Sequence, residues 1–456
     1  MTNNTTSRRG FLRTGAQASM LGALSSMGLL AARPAQAAVS DYKAMVCIYL
    51  FGGNDGNNMI VPLDGVRYPR YTQVRGGLAL SSGANTLLAP RSATLQATAN
   101  AVNQAFAFHY GMPEIDALYG QGNVACVLNM GSLRQPTSKA DYVAGTALPP
   151  QLFSHPDQTL QNQSGSASVS GTGWGGRLVD LLGTGGNLDA ISLGGGGLFI
   201  EGTATHGNQL PQDGTLSLAG MNFWPQAEAD TRRDALRTIL SSDNPNAVSN
   251  AANKALLQGM DLVRDLAAAG SMTPINTPFP GTSLSRQLKT VAQLIRMRAA
   301  QGPGRQVFFV SLGGFDTHGG QAYQQWDLLR QLSQGVDAFQ RALGEIGAAN
   351  NVTTFTMSDF GRTLVPNSGG TDHAWGNHQL VIGAAVKGGL YGQFPDFTLN
   401  GPDDATGRGV WIPQFSNQQF GATLGRWFGA EADVLDAQVF KGELARFGRT
   451  DLGFMV

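Results

Sequence analysis

Apolar positions in this chain follow two patterns that alternate along it. Four runs are continuously apolar: residues 43–51, 123–130, 305–312 ("RQVFFVSL") and 351–357 ("NVTTFTM"). Continuous rather than alternating apolarity marks a strand buried on both faces, as in parallel sheets. Other stretches repeat apolar residues at steps of three and four. Leu284, Leu288, Val291, Ile295 and Ala299 form one stripe over 284–300, and Leu329, Leu332, Val336, Phe339, Leu343 and Ile346 another over 321–347. That is the core-facing period of a helix. Helices are also predicted over 113–120, 174–182 and 228–270, with two short segments over 417–438. Strands alternating with helices predict an α/β fold, a three-layer sandwich around a mostly parallel sheet. Residues 150–225 are rich in Gly, Ser, Asn and Gln and have weak periodicity. A loop-rich insertion or small cap is therefore expected near 150–275 of a single domain spanning 38–456.

The first 37 residues are set apart from this pattern. "SRRGFLR" places Arg8 and Arg9 ahead of Phe11 and Leu12, a weakly apolar stretch follows, and "ARPAQAA" ends the segment. Together they predict a twin-arginine export signal cleaved after Ala37, a periplasmic or cell-surface location, and the twin-arginine translocon as a partner during export. The apolar stretch is too short and too rich in Gly and Ser to span a bilayer, and no other stretch of the sequence is a candidate span. Export in the folded state is compatible with a metal loaded beforehand.

Composition narrows the partners. The 456 residues are 42% hydrophobic and 14% charged, with 61 glycines and zero formal charge. Loss of the signal's four arginines leaves 27 basic against 31 acidic side chains, so there is no electrostatic case for nucleic acid. The two cysteines, Cys47 and Cys126, sit inside apolar runs. They read as buried thiols, or as a disulfide if their strands are neighbours.

Polar clusters follow all four apolar strands. Asn54, Asp55, Asn57 and Asn58 follow the first, Thr137 and Ser138 the second, Asp316 and His318 ("GGFDTHGG") the third, and Ser358 and Asp359 the fourth. Parallel strands share a direction, so these clusters are expected on one edge of the sheet, where ligands of open α/β sheets bind. "GTDHAWGNH" then adds Asp372, His373 and His378, so that three of only six histidines fall in strand-end loops. Carboxylate with imidazole suits zinc, manganese or iron better than calcium or magnesium. Asp55, Asp316, His318, Asp359, His373 and His378 make six candidate ligands, enough for one or two divalent ions. Plainer alternatives exist: His373 and His378 suit a surface loop, and an Asp-x-His such as Asp316 with His318 is a weak motif by itself. Asp55 suits a turn, Asp359 a helix cap, and Thr137 or Ser138 either caps a helix beginning at "KADY" or attacks a substrate. His109 and His155 read as satisfied or exposed histidines, with a substrate contact as the alternative.

The motifs "LFGGNDGNNMIVPL", "GSLRQPTS", "LFSHPDQ", "GWGGRLVDLL", "GGFDTHGGQ", "SDFGRT" and "GTDHAWGNHQLVIGAAVKGGLYG" resemble those of the exported bacterial family known as domain of unknown function 1501. That family is similar in layout to the alkaline phosphatase and sulfatase superfamily. The resemblance implies Asp55 as the first-strand metal ligand and Thr137 or Ser138 as nucleophile. It also implies Asp316 with His318 as the first Asp–His pair, Asp359 as the aspartate of the second, and His373 or His378 as the late histidine. Phe360 stands where the second pair's histidine would be, leaving one metal, recruitment of His378, or an inactive site as alternatives. The expected activity is metal-dependent hydrolysis of a phosphate or sulfate ester, with Arg134 or Arg362 stabilising the developing charge. The partner would be a small anionic ester or envelope polysaccharide. The alternative is a non-catalytic envelope binding or assembly protein on the same scaffold.

Overall fold

The computed structural model describes residues 41–456 apart from 83–90, 95–102, 169, 215, 217–219, 222, 243–244, 271–273 and 300. The export signal expected over residues 1–37 lies outside the described residues. Among the described residues, nine strands form the main sheet: β1 (Tyr42–Phe51), β2 (Val124–Gly131), β3 (Ala190–Ser192), β4 (Asn208–Gln209), β5 (Gly304–Gly313), β6 (Val352–Ser358), β7 (Asn377–Ile382), β8 (Gly389–Tyr391) and β9 (Phe415–Ser416). Their order is β8-β2-β7-β6-β1-β5-β3-β4, with β9 beside β2. Every pairing is parallel except those of β7, which runs against β2 and β6.

The helices that matter below are α1 (Arg67–Arg75), α2 (Pro113–Gly120), α3 (Lys139–Ala144), α4 (His155–Ser164), α5 (Trp174–Leu182), α6 (Gln226–Leu240), α7 (Ala247–Gly270), α8 (Ser283–Ala299), α9 (Gln321–Glu345) and α10 (Asn417–Phe428). The layering follows from strand alternation. In β1, Ala44, Val46, Ile48 and Leu50 enter one core with Leu284, Leu288 and Val291 of α8 and Leu329, Leu332 and Val336 of α9. Met45, Cys47 and Tyr49 face the opposite core, with Trp174 and Leu178 of α5 and Phe420 and Phe428 of α10. Both sides of β1 are thus covered, which is why its sequence is apolar without alternation. The result is the expected three-layer α/β sandwich.

The cysteines take the first of their two expected readings, buried thiols. Cys47 and Cys126 are both free and buried. β6 and β7 separate their strands, and the two side chains enter opposite cores. The region expected as an insertion supplies inner scaffold as well: α5 covers one face and β3 pairs with β5. Where a strand-end loop was expected to hold His378, β7 opens on three polar residues, Asn377, His378 and Gln379. Each of them is buried and hydrogen-bonded, as in Thr356 Oγ1 donating to Gln379 Oε1 at 2.7 Å.

Because β1, β2, β5 and β6 are parallel, their carboxyl ends share one edge. Glycine lets the loops there close on one another. Gly52 has φ 111°, and a Cβ on it would stand 2.3 Å from the Asp316 amide nitrogen. Only glycine fits so close an approach.

Candidate metal centre

The loop after β5, the short strand Thr371–His373 and the start of α4 bring four donors together. Asp316 Oδ1 lies 3.0 Å from His318 Nε2, 3.3 Å from His373 Nε2 and 3.5 Å from His155 Nε2. His373 Nε2 is also 3.1 Å from His155 Nε2 and 3.0 Å from His318 Nε2. Donors about 2.0–2.1 Å from a tetrahedral ion stand about 3.3 Å apart, so the spacing of His155, Asp316 and His373 matches a shared cation, and His318 adjoins that trio through Asp316 and His373.

An outer partner fixes the tautomer of His373. His373 Nδ1 is 2.8 Å from the Phe153 carbonyl, which only accepts, so Nδ1 carries the proton. His155 Nδ1 is 2.6 Å from Asp359 Oδ2, and His318 Nδ1 is 3.2 Å from Asp372 Oδ1. His373 Nε2 therefore presents a lone pair towards His155 Nε2 and His318 Nε2, and each of those rings places its Nδ1 against a carboxylate. A carboxylate or carbonyl behind each ligating imidazole is the usual arrangement around a bound metal. Three imidazoles and one carboxylate fit zinc or manganese, and the nitrogen majority disfavours calcium and magnesium.

Charge at the site is arranged consistently. Burial would raise the Asp316 carboxyl, but Arg362, 2.9 Å away, together with the neighbouring imidazoles, holds it below its ordinary value. Burial raises Asp359 above the usual carboxylate range, against the opposing pull of His155 and the Gly52 N–H. Burial lowers His373, favouring the neutral ligand form. Phe360 packs its ring against His155 and His373, with centroids 4.7 and 4.8 Å away, and walls one side of the donors.

The candidates fall into distinct places. Asp316, His318 and His373 meet at the centre, and Asp359 stands behind His155. Asp55 is elsewhere in role. Its fully buried carboxylate accepts from Arg75 Nη2 at 2.7 Å, Gln321 Nε2 at 2.5 Å and the Asn57 N–H at 3.1 Å. It therefore anchors α1 and α9 rather than facing the donors. His378 is buried in β7, accepting from the Asn129 N–H at 3.0 Å, and burial pushes its pKa down to about 4. Arg362 is also fully buried, spent on Asp316, the Gly52 carbonyl and Thr371. Arg134 is exposed and outside this network.

Thr137 and Ser138 belong to the cap of α3. Ser138 Oγ accepts from the Asp141 N–H at 3.2 Å in a capping box, and Thr137 Oγ1 donates to the Gln135 carbonyl at 2.9 Å. Neither hydroxyl bonds to a donor residue. Sequence reasoning missed His155, which the structure places at the centre. Its one signal was position: a histidine followed by proline at a predictable helix start, in the polar stretch "LFSHPDQ". A cavity of about 780 Å³ lies elsewhere, among Met221, Met260, Leu266 and Thr290, and contains none of the donors.

The sequence profile of the family described as "Protein of unknown function (DUF1501)" matches residues 42–415. The chain belongs to that family. The matched span holds all four donors and their outer partners. Among curated proteins no match was found. Solved structures similar to this DUF1501 chain include Ps i-CgsB in complex with k-i-k-neocarrahexaose, at 11% identity over 86% of this chain and 73% of that one, TM-score 0.35. A protein in the alkaline phosphatase superfamily from Vibrio parahaemolyticus is 10% identical over 88% and 70%, TM-score 0.37. Phosphonate monoester hydrolase of Agrobacterium radiobacter is 10% identical over 85% and 74%, TM-score 0.29. No helix of the described residues is long and apolar enough to cross a membrane.

Proposed function

We propose that this DUF1501 chain is an exported metal-dependent hydrolase of phosphate or sulfate esters, with one divalent ion held by His155, Asp316, His318 and His373. The observation that carries this reading is the convergence of the His155, His318 and His373 Nε2 atoms on Asp316 Oδ1 at 3.0–3.5 Å, each imidazole backed by its own outer partner. A bound zinc or manganese ion would supply Lewis-acid polarisation of the ester and of an attacking water. The chain's own residues do the rest. Asp359, Asp372 and the Phe153 carbonyl orient the imidazoles, Arg362 fixes Asp316, and Phe360 keeps water from one side. Since Ser138 and Thr137 are engaged at the α3 cap, attack is assigned to water rather than to either hydroxyl.

That same engagement favours a second reading, an envelope-polysaccharide binding protein that holds metal without turnover. One experiment separates the two. Metal content of the purified chain is measured by elemental analysis, and aryl phosphates and aryl sulfates are assayed with and without chelator. The hydrolase reading expects bound metal and chelator-sensitive turnover, both lost in Asp316→Ala and His318→Ala. Bound metal with no turnover across the panel selects the binding protein, and no bound metal ends the hydrolase reading.

A further inference from the structure

Arg408 stands beside the donor group on a turn shaped to present it. It lies in "TGRGV", between two left-handed glycines, Gly407 at φ 83° and Gly409 at φ 71°. A Cβ on Gly407 would meet Asn400 Oδ1 at 2.5 Å, and one on Gly409 would meet Leu364 Cβ at 2.3 Å. Neither position accepts a side chain. Buried Asp404 ties the turn from below, its Oδ1 accepting from the Thr406 N–H at 3.2 Å and the Val410 N–H at 3.0 Å. The Arg408 carbonyl accepts from the Val365 N–H at 3.0 Å and the Gly409 carbonyl from the Leu364 N–H at 3.1 Å. The turn therefore rides on the strand Arg362–Pro366, which pairs with Thr371–His373.

The side chain is tethered to the donors through a single carboxylate. Asp372 Oδ2 is 2.7 Å from Arg408 Nη2, while Asp372 Oδ1 is 3.2 Å from His318 Nδ1. Asp372 thus holds a metal donor with one oxygen and an arginine with the other. Arg408 differs sharply from Arg362. Arg362 is fully buried, with its guanidinium consumed inside the fold, whereas the Arg408 side chain is 46% exposed. A guanidinium has five N–H donors, and the ion pair with Asp372 engages only one side of the fork.

We propose that Arg408 forms an anion subsite beside the donors, taking the acid oxygens of the phosphate or sulfate ester, with Asp372 setting its spacing from His318. The proposal rests on the hydrolase reading and names the residue that recognises the substrate's charge. A planar fork pairs with phosphate and sulfate oxygens in a way that an ammonium does not.

The test uses the purified chain loaded with zinc. Inorganic phosphate and sulfate are titrated by calorimetry into the parent, Arg408→Ala, Arg408→Gln and Arg408→Lys, and zinc content is measured on each. The expected result is equal zinc in all four, with phosphate affinity about 10–100-fold weaker in the Ala and Gln chains, the scale of one or two charge-assisted hydrogen bonds. Arg408→Lys, which keeps charge but not the fork, falls between. An Arg408→Ala chain that binds phosphate as tightly as the parent overturns the subsite. A zinc-loaded parent that binds neither anion also overturns it, yet leaves the metal centre standing. A parent that takes up no zinc removes the hydrolase reading together with the subsite.

Discussion

His155 reaches Asp359 across 204 residues of sequence, Nδ1 to Oδ2 at 2.6 Å. Asp359 lacks a histidine beside it in sequence because Phe360 fills that position. The imidazole is supplied instead from the first turn of α4, and Phe360 becomes the wall against which that imidazole packs. Asp359, expected as a ligand, thus stands behind a histidine supplied by "LFSHPDQ".

If Asp359 orients His155 for a metal, Asp359→Asn should weaken metal binding without abolishing it. Loss of an outer carboxylate partner typically costs about 10–100-fold in metal affinity. His155→Ala removes the donor itself and should cost more. Competition with a chromogenic chelator measures both, and an Asp359→Asn chain with parental affinity would remove Asp359 from the site.

Asp55 makes the opposite prediction. Its carboxylate neutralises Arg75, whose side chain is fully buried. Asp55→Ala strands that charge, and breaking one partner of a buried pair costs about 3–5 kcal/mol. Urea unfolding should show this loss, while the folded fraction keeps its metal-to-protein ratio. Loss of metal with little loss of stability would instead return Asp55 to the ligand set.

Ser138 should behave as a cap. Ser138→Ala removes a capping hydroxyl at the start of α3, worth about 1 kcal/mol. Metal content and any ester turnover are expected to stay at the parental level, as they are for Thr137→Val. Turnover abolished in either variant, with metal retained, would make that hydroxyl a nucleophile after all.

The sheet was legible because β1, β2, β5 and β6 are buried on both faces and therefore spell out continuous apolar runs. Their shared direction puts Asp316, His318 and Asp359 on one edge from the sequence alone. Two things did not show. β7 carries Asn377, His378 and Gln379 into the interior, where hydrogen bonds rather than hydrophobicity satisfy them, and no apolar pattern marks such a strand. His155 lies at a helix start, not at a strand end, so an argument from strand ends could not reach it. Asp55 and His378 were misplaced for the reverse reason. Both sit in the expected segments, but spacing does not reveal that Arg75 and the Asn129 N–H already occupy them.

His109 allows a pH prediction away from the metal centre. Its ring is buried, with Nδ1 accepting from the Gly111 N–H at 2.9 Å, and burial pushes its pKa down to about 3. In the unfolded chain the same imidazole gains its proton near pH 6.5. Between those values the unfolded state binds the extra proton, so stability from this residue is complete above about pH 6.5 and falls as pH drops towards 3. The slope is about 1.4 kcal/mol per pH unit, or about 2 kcal/mol lost between pH 6.5 and 5. Other groups add their own slopes, so the measurement is a difference. Urea unfolding at pH 7, 6 and 5 is compared for the parent and for His109→Gln, which keeps an acceptor for the Gly111 N–H but cannot titrate. The variant should lose about one proton's worth of slope below pH 6.5 and run parallel to the parent above it. Parallel curves throughout would mean that His109 takes up its proton in the folded state as readily as in the unfolded one.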